Sequence, residues 1–429
     1  MTLLVPPGVP DSDLSDNVLV VPVAPQPSEA LVPPEPGARW AFIETTGFRL
    51  HYLTGTAAER DLPAIIAEAE AAYADVVTYF ALGEALVDIY LLDRVIGQGG
   101  YASSDWVAIS YTDRQYTPVQ LGMVLRHELV HRLDGALGCD DGPSLLREGL
   151  AVYVAGGHYA VESVPYKAAA IRASRYFIPL ARLADDFYIH QHEVSYIEAG
   201  AVISYIVDAY GWAGLESLCR AAARGEDGQS DRQLLEAGLQ ALNEADLQAF
   251  SARWGAWLDL QLATSADENR LAVELRLMDT LRAYQVAYDL GAHFLEGILF
   301  SPKEGADQKI TADFVRRPRS ADAVSLEVLL LMAQEALKRE DIATVTSLLD
   351  AVEGVLAGGF PDVGLAADVR AIVVASLAAG YEPYRLVVRG DGRFEVHALS
   401  YAAWPATHTF EAVRESTIWS LRDAVVGGQ

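Results

Sequence analysis

The chain begins its folded pattern near Trp40, where apolar and polar residues start to alternate as they do in half-buried β-strands. Three strands are predicted, at Phe48–Tyr52, at Val87–Leu92 and around Trp106–Tyr111. Between the first two, Asp61 is placed to cap a helix that has Pro63 in its first turn and runs to about Leu82. Strands separated by a helix and then by a glycine-containing loop indicate the start of an α/β layer.

From Thr117 onward the apolar positions follow the period of a helix. Helices are predicted from Thr117 and Pro118 to about Gly135–Gly138, from Pro143 to Gly156, over Tyr196–Tyr210, and over 321–339, 341–357 and 364–379. Alternation returns on both sides of a turn at Gly390–Gly392, which predicts a hairpin over 385–399. The expected fold class is α+β: a small mixed sheet packed on the helix that begins at Thr117, a helical lobe, and an α-helical module that ends in a β hairpin.

Proline usage separates the N-terminus from the rest, because nine of the 19 prolines lie within residues 1–36. This stretch has no sustained period and is predicted to be an extended, flexible tether over 1–38. We expect three further parts: a globular domain over 39–262, an α-helical hairpin module over 263–384, and a small β-containing segment over 385–429. The longest apolar runs are too short for a membrane-spanning helix.

The charge balance is strongly acidic, with 59 Asp and Glu against 32 Lys and Arg and a formal net charge of −27. A field of this sign repels phosphate groups, so nucleic acid and anionic membrane surfaces are excluded as expected partners. Apolar residues make up 51% of the chain, which allows a sizeable core and excludes wholesale disorder.

Two cysteines, Cys139 and Cys219, are too few for a four-sulfur metal site or a disulfide-rich scaffold. They can pair if the chain is exported, but the sequence leaves this open because it does not give their distance in space. The proline-rich start and the acidic balance favour an extracytoplasmic or envelope-tethered location over the cytoplasm.

Residues 127–131 read His-Glu-Leu-Val-His inside the helix that begins at Thr117. Histidines at i and i+4 share one helical face, so His127 and His131 can reach one ion, and Glu128 can touch a water on that ion. Zinc suits two imidazoles and a carboxylate with a fourth position open. The alternative is an exposed helix with two incidental histidines. The flanking residues are apolar, however, and a buried helix carrying these groups needs partners for them.

A third ligand is predicted seventeen residues after His131, at Glu148. Glu148 lies on the helix that Pro143 begins, and a short glycine-containing return can present its carboxylate to the histidine face. Gly149 and Ala151 are small, which would let this helix and the helix of the histidines approach closely. Taken singly, Glu148 is equally consistent with an ordinary exposed helix carboxylate.

His127-Glu-Leu-Val-His131 followed by Glu148-Gly-Leu-Ala resembles the gluzincin metallopeptidases of clan MA, in their peptidase-MA-like and aminopeptidase N-like branch. Thermolysin-like members carry an Asp four residues after the glutamate ligand, where this chain has Val152. The resemblance extends to Tyr196, a helix-borne tyrosine ahead of a Gly-Ala pair, and it covers about residues 40–262.

The resemblance implies a gluzincin-like domain with one zinc ion per chain, held by His127, His131 and Glu148. It implies Glu128 as a general base and then acid, and Tyr196 as a hydrogen-bond donor to the oxyanion. It also implies that the strand 106–111 is the edge strand along which an extended peptide lies. The expected function is zinc-dependent hydrolysis of peptide bonds in peptide or protein substrates.

One departure from the family bears on the kind of peptidase. Aminopeptidases of this clan anchor the substrate's free amine with a Gly-x-Met-Glu-Asn-like segment, and the corresponding region, residues 99–106, has no such glutamate. Asp105 can substitute only if the geometry allows it. Endopeptidase action is therefore favoured over aminopeptidase action.

Several other residues are candidates for lesser roles. Asp134 can orient a histidine from behind, although a surface position at the helix end is the favoured interpretation. A polar loop before Tyr196 is predicted to hold His190, His192 and Glu193, and His158 is also predicted to lie in a loop. The alternative function is a catalytically inactive gluzincin-like binding or scaffold protein that acts through its C-terminal helical module, for which a protein partner is expected.

Overall fold

The computed structural model describes residues 32–80, 86–97, 99–223, 228–293, 301–390, 392–415 and 418–423. Its strands are β1 Trp40–Glu44, β2 Phe48–Leu53, β3 Val87–Leu92, β4 Gly100–Ala102, β5 Trp106–Ser110, β6 Tyr381–Val388, β7 Phe394–Ser400, β8 Thr407–Glu415 and β9 Ile418–Asp423. Its helices are α1 Ala57–Arg60, α2 Leu62–Val76, α3 Leu121–Leu133, α4 Ser144–Ala155, α5 Val164–Ala173, α6 Leu180–Asp185, α7 His192–Ala222, α8 Asp231–Ala241, α9 Leu247–Asp259, α10 Ser265–Tyr288, α11 Pro302–Gln308, α12 Ala321–Lys338, α13 Ile342–Gly358 and α14 Leu365–Ala378. The chain is thus a mixture of α and β structure with a helical majority and two separate sheets.

The N-terminal sheet has the strand order β1-β2-β3-β5-β4, with β2, β3 and β5 parallel and the outer strands antiparallel. The three strands expected from the alternation are present. The expectation that 106–111 forms the edge is wrong, because β5 lies between β3 and β4 and all its residues are buried. The segment expected to be a loop itself pairs with β5, through Gly100 with Ile109 and Ala102 with Val107, and β4 is therefore the edge strand.

The helix that carries the His-Glu-Leu-Val-His motif is α3, and it begins at Leu121. The predicted start at Thr117 and Pro118 is therefore wrong, because the residues just before Leu121 are extended. This segment is bound at both ends to distant residues, since the Gln334 side-chain amide donates to the Tyr116 carbonyl oxygen and the Gln120 N–H group donates to the Tyr159 carbonyl oxygen. Local preference at Pro118 is overridden by packing against α12.

Helices α4 and α7 cross at close range, and two glycines make this approach possible. A Cβ atom at Gly149 would lie 2.6 Å from the Ala199 carbonyl oxygen, and one at Gly200 would lie 2.5 Å from a methyl carbon of Val152. Helix α7 breaks at Gly211, where φ is 70° and ψ is 176°, close to the predicted helix end. The first part of α7 therefore packs directly against α4, the helix of Glu148.

A disulfide joins Cys139, in the loop after α3, to Cys219, in the part of α7 beyond its break. The two Cα atoms are 4.8 Å apart and both side chains are fully buried. The pairing that the sequence left open is therefore formed in the structure. It fixes the loop that leads from α3 to α4.

The C-terminal part consists of α10 to α14 and the antiparallel sheet β6-β7-β8-β9. The predicted hairpin is confirmed as β6 and β7, and β8 and β9 extend it to four strands. The helices expected at 321–339, 341–357 and 364–379 are confirmed to within one residue at each end. The predicted boundary at 384/385 falls inside β6, and the one at 262/263 falls between α9 and α10.

Buried ion pairs connect this part to the N-terminal sheet. Arg114 pairs with Glu327 of α12 and, at 2.9 Å, with Glu382 of β6. Arg317 pairs with Asp93, which directly follows β3. All these side chains are almost fully buried, so the two parts share a desolvated and charged contact.

The predicted tether at 1–38 lies largely outside the described residues, which begin at Val32. Of its described end, Pro33 accepts a hydrogen bond through its carbonyl oxygen from Arg319, at 2.8 Å. In the part of the chain that the structure describes, no helix combines the length and the apolar character needed to cross a membrane. This agrees with the short apolar runs in the sequence.

Candidate metal centre

Three side chains converge on one point between α3 and α4. The Nε2 atoms of His127 and His131 lie 3.3 Å apart. The Oε2 atom of Glu148 is 3.2 Å from each of them. The structure therefore brings together all three predicted ligands, with one donor atom from each facing a common centre.

The donor spacing fits a tetrahedral metal ion. Nitrogen and oxygen ligands about 2.0–2.1 Å from zinc in tetrahedral geometry stand about 3.3–3.4 Å from one another. The observed separations of 3.2–3.3 Å match this within the tolerance of such a site. Two imidazoles and a carboxylate are compatible with zinc and with other divalent metals, so the arrangement supports a metal site without selecting one ion.

The electrostatics of the triad favour a charged carboxylate. Burial alone would raise the pKa of Glu148, but the neighbouring His131 and His127 hold this pKa well below its usual range. Burial lowers the pKa of His131, and the adjacent Glu148 more than offsets this, so that the His131 pKa is raised. Glu148 and His131 therefore each stabilise the charged form of the other.

Glu128 lies beside the triad and against the edge strand. The pKa of Glu128 is raised to about 7, chiefly by burial and also by the nearby Glu148, while His127 opposes the rise. A Cβ atom at Gly100 would lie 2.7 Å from Glu128 Oε1, so only glycine lets the β4 backbone come this close. The base predicted from the motif is therefore positioned between the metal site and the sheet edge.

Tyr196 lies in a stack of aromatic rings next to His127. The ring centroid of Tyr196 is 4.4 Å from that of His158 and 4.1 Å from that of His192, with nearly parallel planes in both cases. His127 is 5.9 Å from Tyr196, measured between ring centroids. Tyr196 is thus held in one orientation at the wall of the site.

The sequence did not predict that His158 and His192 lie in the site. His158 does lie in a loop, as predicted, but it is buried inside the site. The loop prediction is wrong for His192 and Glu193, which form the first turn of α7 after Gln191 caps its N-terminus. His190 precedes the helix as expected. The available clue to the earlier helix start was Glu193, because acidic residues are enriched in the first turn of a helix.

A buried carboxylate fixes His158. Glu193 Oε2 is 2.5 Å from Nδ1 of His158 and its other oxygen accepts from Lys167. Lys167 also pairs with Glu162 at 3.0 Å and with Glu274 at 3.3 Å. Despite burial, Lys167 and His158 hold the pKa of Glu193 at about 2, so this carboxylate is charged.

Two more residues, Tyr188 and Asp134, lie close to the predicted ligands. Tyr188 donates from its hydroxyl to Glu148 Oε1 at 2.7 Å, a contact that no sequence pattern indicated. Asp134 is 1% exposed, so its interpretation as a surface residue is wrong. Its Oδ2 atom lies 4.0 Å from His131 Nδ1 and 3.9 Å from the Arg147 guanidinium. Asp134 therefore faces the back of a ligand ring at a distance slightly longer than a hydrogen bond.

Two adjoining cavities open from the triad and share Glu128, Tyr196 and the β4 backbone as walls. The outer cavity, about 610 Å³, extends past Ser103 and Ser104 towards Arg132 and Arg147 at the C-terminal end of the motif. The inner cavity, about 350 Å³, extends past Val119 and Val124 at its N-terminal end towards Tyr159, His192 and Arg282. A ligand lying along β4 can therefore extend to both sides of the metal site.

No protein-family model matches the chain, and no curated protein matches it in sequence. The geometry of the site combines a His-His-Glu triad compatible with a metal ion, a carboxyl group of raised pKa, and a tyrosine at the wall of an elongated cavity. A water or a carbonyl group placed at the triad would lie within reach of an acid–base group and a hydroxyl donor.

Proposed function

We propose that this protein is a zinc-dependent metallopeptidase that hydrolyses peptide bonds, with the zinc ion held by His127, His131 and Glu148. The observation that carries the proposal is the convergence of their donor atoms to 3.2–3.3 Å beside Glu128, at the edge of a sheet. The sequence resemblance to gluzincins and the donor set support the same assignment.

When bound, zinc supplies Lewis acidity that makes a water more acidic and polarises the scissile carbonyl group. Glu128 accepts the proton of the attacking water and later delivers it to the leaving amine. Burial raises the pKa of Glu128 to about 7, which suits a group that must both take and return a proton near neutral pH. Metal binding next to this carboxylate would favour its charged form.

Tyr196 would donate a hydrogen bond from its hydroxyl group to the oxyanion that develops on the substrate. Its stacking between His158 and His192 restricts the ring and so reduces the reorganisation needed during reaction. Tyr188 orients the carboxylate of Glu148 through the second oxygen of that group.

The sheet edge supports an extended peptide as substrate. Strand β4 pairs with β5 on one side only, so its other side can add a substrate strand by backbone hydrogen bonds. Asp105, the residue considered as an amine anchor, pairs instead with Lys303 and does not line either cavity. Endopeptidase action is therefore favoured over aminopeptidase action.

We further propose that the protein is located outside the cytoplasm, in an oxidising compartment. The disulfide between Cys139 and Cys219 is buried and closes the loop that leads into α4. Stable disulfides are typical of exported proteins and rare in the cytosol.

The test is to measure zinc content and cleavage of an unstructured protein, casein, for the purified full chain and three variants. Glu128→Gln keeps the shape of the side chain and is expected to retain zinc but lose about 10²–10⁴-fold in rate. Glu148→Ala is expected to lose zinc. Glu70→Gln, at an exposed position on α2, is the matched control and is expected to change neither.

The outcomes separate the candidate functions. Absence of zinc in protein purified without chelators, with no uptake of added zinc, would falsify the metallopeptidase assignment. Zinc binding without cleavage of casein or of a peptide library would favour the catalytically inactive binding protein. Unchanged cleavage in Glu128→Gln would remove that residue from the proton-transfer role.

A further inference from the structure

The inner cavity has an uneven charge distribution. Its walls beyond the triad are apolar or aromatic, with Val119, Val124 and Tyr159 among them, and a guanidinium group from Arg282 of α10. Among the described residues that line this cavity, the carboxylates are Glu128 and Glu148, both committed to the proposed metal site. The far end of the cavity therefore carries a cation and the near end carries the metal-binding groups.

Arg282 is held in place by its neighbours. One of its guanidinium nitrogens donates to Gln285 Oε1 at 2.7 Å, and Gln285 is itself anchored by donating to the Gly97 carbonyl oxygen at 3.0 Å. Arginine carries five N–H donors in a rigid planar arrangement that matches a carboxylate. Arg282 lines the inner cavity, so a group that enters the cavity meets this guanidinium.

The surroundings of Arg282 favour the binding of an anion. Burial lowers the pKa of Arg282, while the nearby Tyr159 and Tyr196 oppose this shift. Burial also holds the pKa of His192 well below its usual range, so this imidazole is neutral at neutral pH. Water screens charges weakly in such a cavity, so the attraction between this guanidinium and an anionic ligand is stronger than at an exposed site.

We propose that the inner cavity binds a carboxylate of the substrate through Arg282, and that Arg282 thereby determines specificity next to the scissile bond. The proposal rests on the proposed peptidase function, and it adds the substrate class: peptides with an acidic group adjacent to the cleaved bond. The carboxylate can come from an Asp or Glu side chain or from the C-terminus of the substrate. Both sources present the same planar anion to the guanidinium.

The experiment uses the full-length, zinc-loaded protein. A peptide library is digested first, and mass spectrometry identifies the cleaved bonds and their flanking residues. Two pairs of synthetic peptides built on a cleaved sequence then separate the sources. One pair differs only by Glu or Gln beside the scissile bond, and the other differs only by a free or amidated C-terminus at that place.

The wild-type protein is expected to favour the acidic member of at least one pair by about tenfold or more in kcat/KM, as expected for a hydrogen-bonded charge pair. Arg282→Gln is expected to abolish this preference and to leave cleavage of the neutral member within a few-fold of wild type. Arg282→Lys keeps a positive charge and is expected to retain part of the preference. Arg276→Gln, on the same helix but paired with Glu353 outside the cavity, is the matched control.

Three results overturn the proposal. Cleavage without preference for either acidic member removes the carboxylate subsite while leaving the peptidase function intact. An acidic preference that persists in Arg282→Gln places the recognising group elsewhere. Absence of cleavage of every library peptide by zinc-loaded protein removes both this inference and the peptidase function. The thermal unfolding of each variant, compared with wild type, shows whether a loss reflects folding.

Discussion

At the scale of single residues, the site depends on side chains that hold other side chains. Tyr188 donates to the oxygen of Glu148 that does not face the histidines, and Glu193 fixes the ring of His158. These contacts join segments far apart in sequence, so no local pattern reveals them. The ligands themselves were predictable because His127 and His131 lie one helical turn apart.

Removing the hydroxyl in Tyr188→Phe is expected to weaken zinc binding by about tenfold or more, because Glu148 loses the hydrogen bond that orients its carboxylate. Competition with a chromophoric chelator measures the affinity. Tyr79→Phe, a ring-preserving change after the end of α2 at a residue that lines neither cavity, is the control and should leave the affinity unchanged. Equal affinities in Tyr188→Phe and wild type would show that Glu148 is oriented by α4 alone.

Glu198 carries a second residue-scale prediction. Burial raises the pKa of Glu198 well above its usual range, although the Ile178 N–H group donates to one oxygen at 3.1 Å. A raised folded-state pKa means that this group's contribution to stability is complete below its unfolded pKa and is lost as pH rises through the folded pKa. The buried charge then has no compensating cation among its described contacts.

Glu198→Gln is therefore expected to unfold like wild type near pH 4.5 and to become progressively more stable than wild type as pH rises. A difference of about 2 kcal/mol is expected at the alkaline end, the order of magnitude for a buried and poorly compensated polar group. Urea unfolding at several pH values measures it. A pH-independent difference between the two proteins would contradict the assignment to this carboxyl group.

At the scale of elements, the close crossing of α4 and α7 brings Glu148 and Tyr196 into one site. Gly149 and Gly200 permit this approach, and the break at Gly211 redirects the rest of α7 towards the disulfide. Small residues on a helix indicate close packing in a sequence, but they do not name the partner helix. The expectation that Gly149 serves the approach of α4 to α3 is wrong, because Gly149 faces Ala199 and Ile203 of α7.

Gly149→Ala is expected to destabilise the protein by about 1–3 kcal/mol and to weaken zinc binding, because the new methyl group would overlap the Ala199 carbonyl oxygen and displace Glu148. Gly354→Ala on α13 has open space around it and should be neutral or stabilising by up to about 1 kcal/mol. Urea unfolding and zinc titration of both variants test this. Equal stability changes in both variants would argue against the tight crossing.

The sequence predicted elements better than their junctions. Strands β2, β3 and β5 and helices α4, α12, α13 and α14 follow from hydrophobic period and glycine or proline boundaries. The start of α3 was missed because the segment before it is extended and is bound at both ends to distant residues, Gln334 and Tyr159. The edge strand was missed because β4 has only three residues, too few to show alternation. Long-range contacts decided both cases.

At the scale of the whole molecule, covalent and ionic links combine distant segments. The disulfide spans 80 residues, and the pairs of Arg114 and Arg317 join the N-terminal sheet to α12 and β6. Removing one member of a buried ion pair leaves an uncompensated charge and is strongly destabilising. Such contacts explain why parts that read as separate segments in the sequence pack together.

Replacing both Cys139 and Cys219 by serine is expected to lower the free energy of unfolding by about 4.5 kcal/mol, the loop-closure value for 80 residues. Reduction of the wild-type protein in denaturant should reproduce this loss. Thermal and urea unfolding with and without reductant measure it. A reductant effect that persists in the double variant would come from something other than this bond.

The connection from β3 to β4 is anchored to the C-terminal part of the chain. The Gly97 N–H group donates to the Ala292 carbonyl oxygen at 2.8 Å, and the Gly97 carbonyl oxygen accepts from Gln285. Arg94 adds a 3.1 Å pair with Asp313. The proposed metal ligands all lie on α3 and α4, so a chain cut after residue 262 would keep the triad and lose these anchors of the edge strand. For the proposed peptidase, such a fragment would separate metal binding from accurate placement of the substrate backbone. The downstream helices would then contribute to catalysis by holding the edge strand in place.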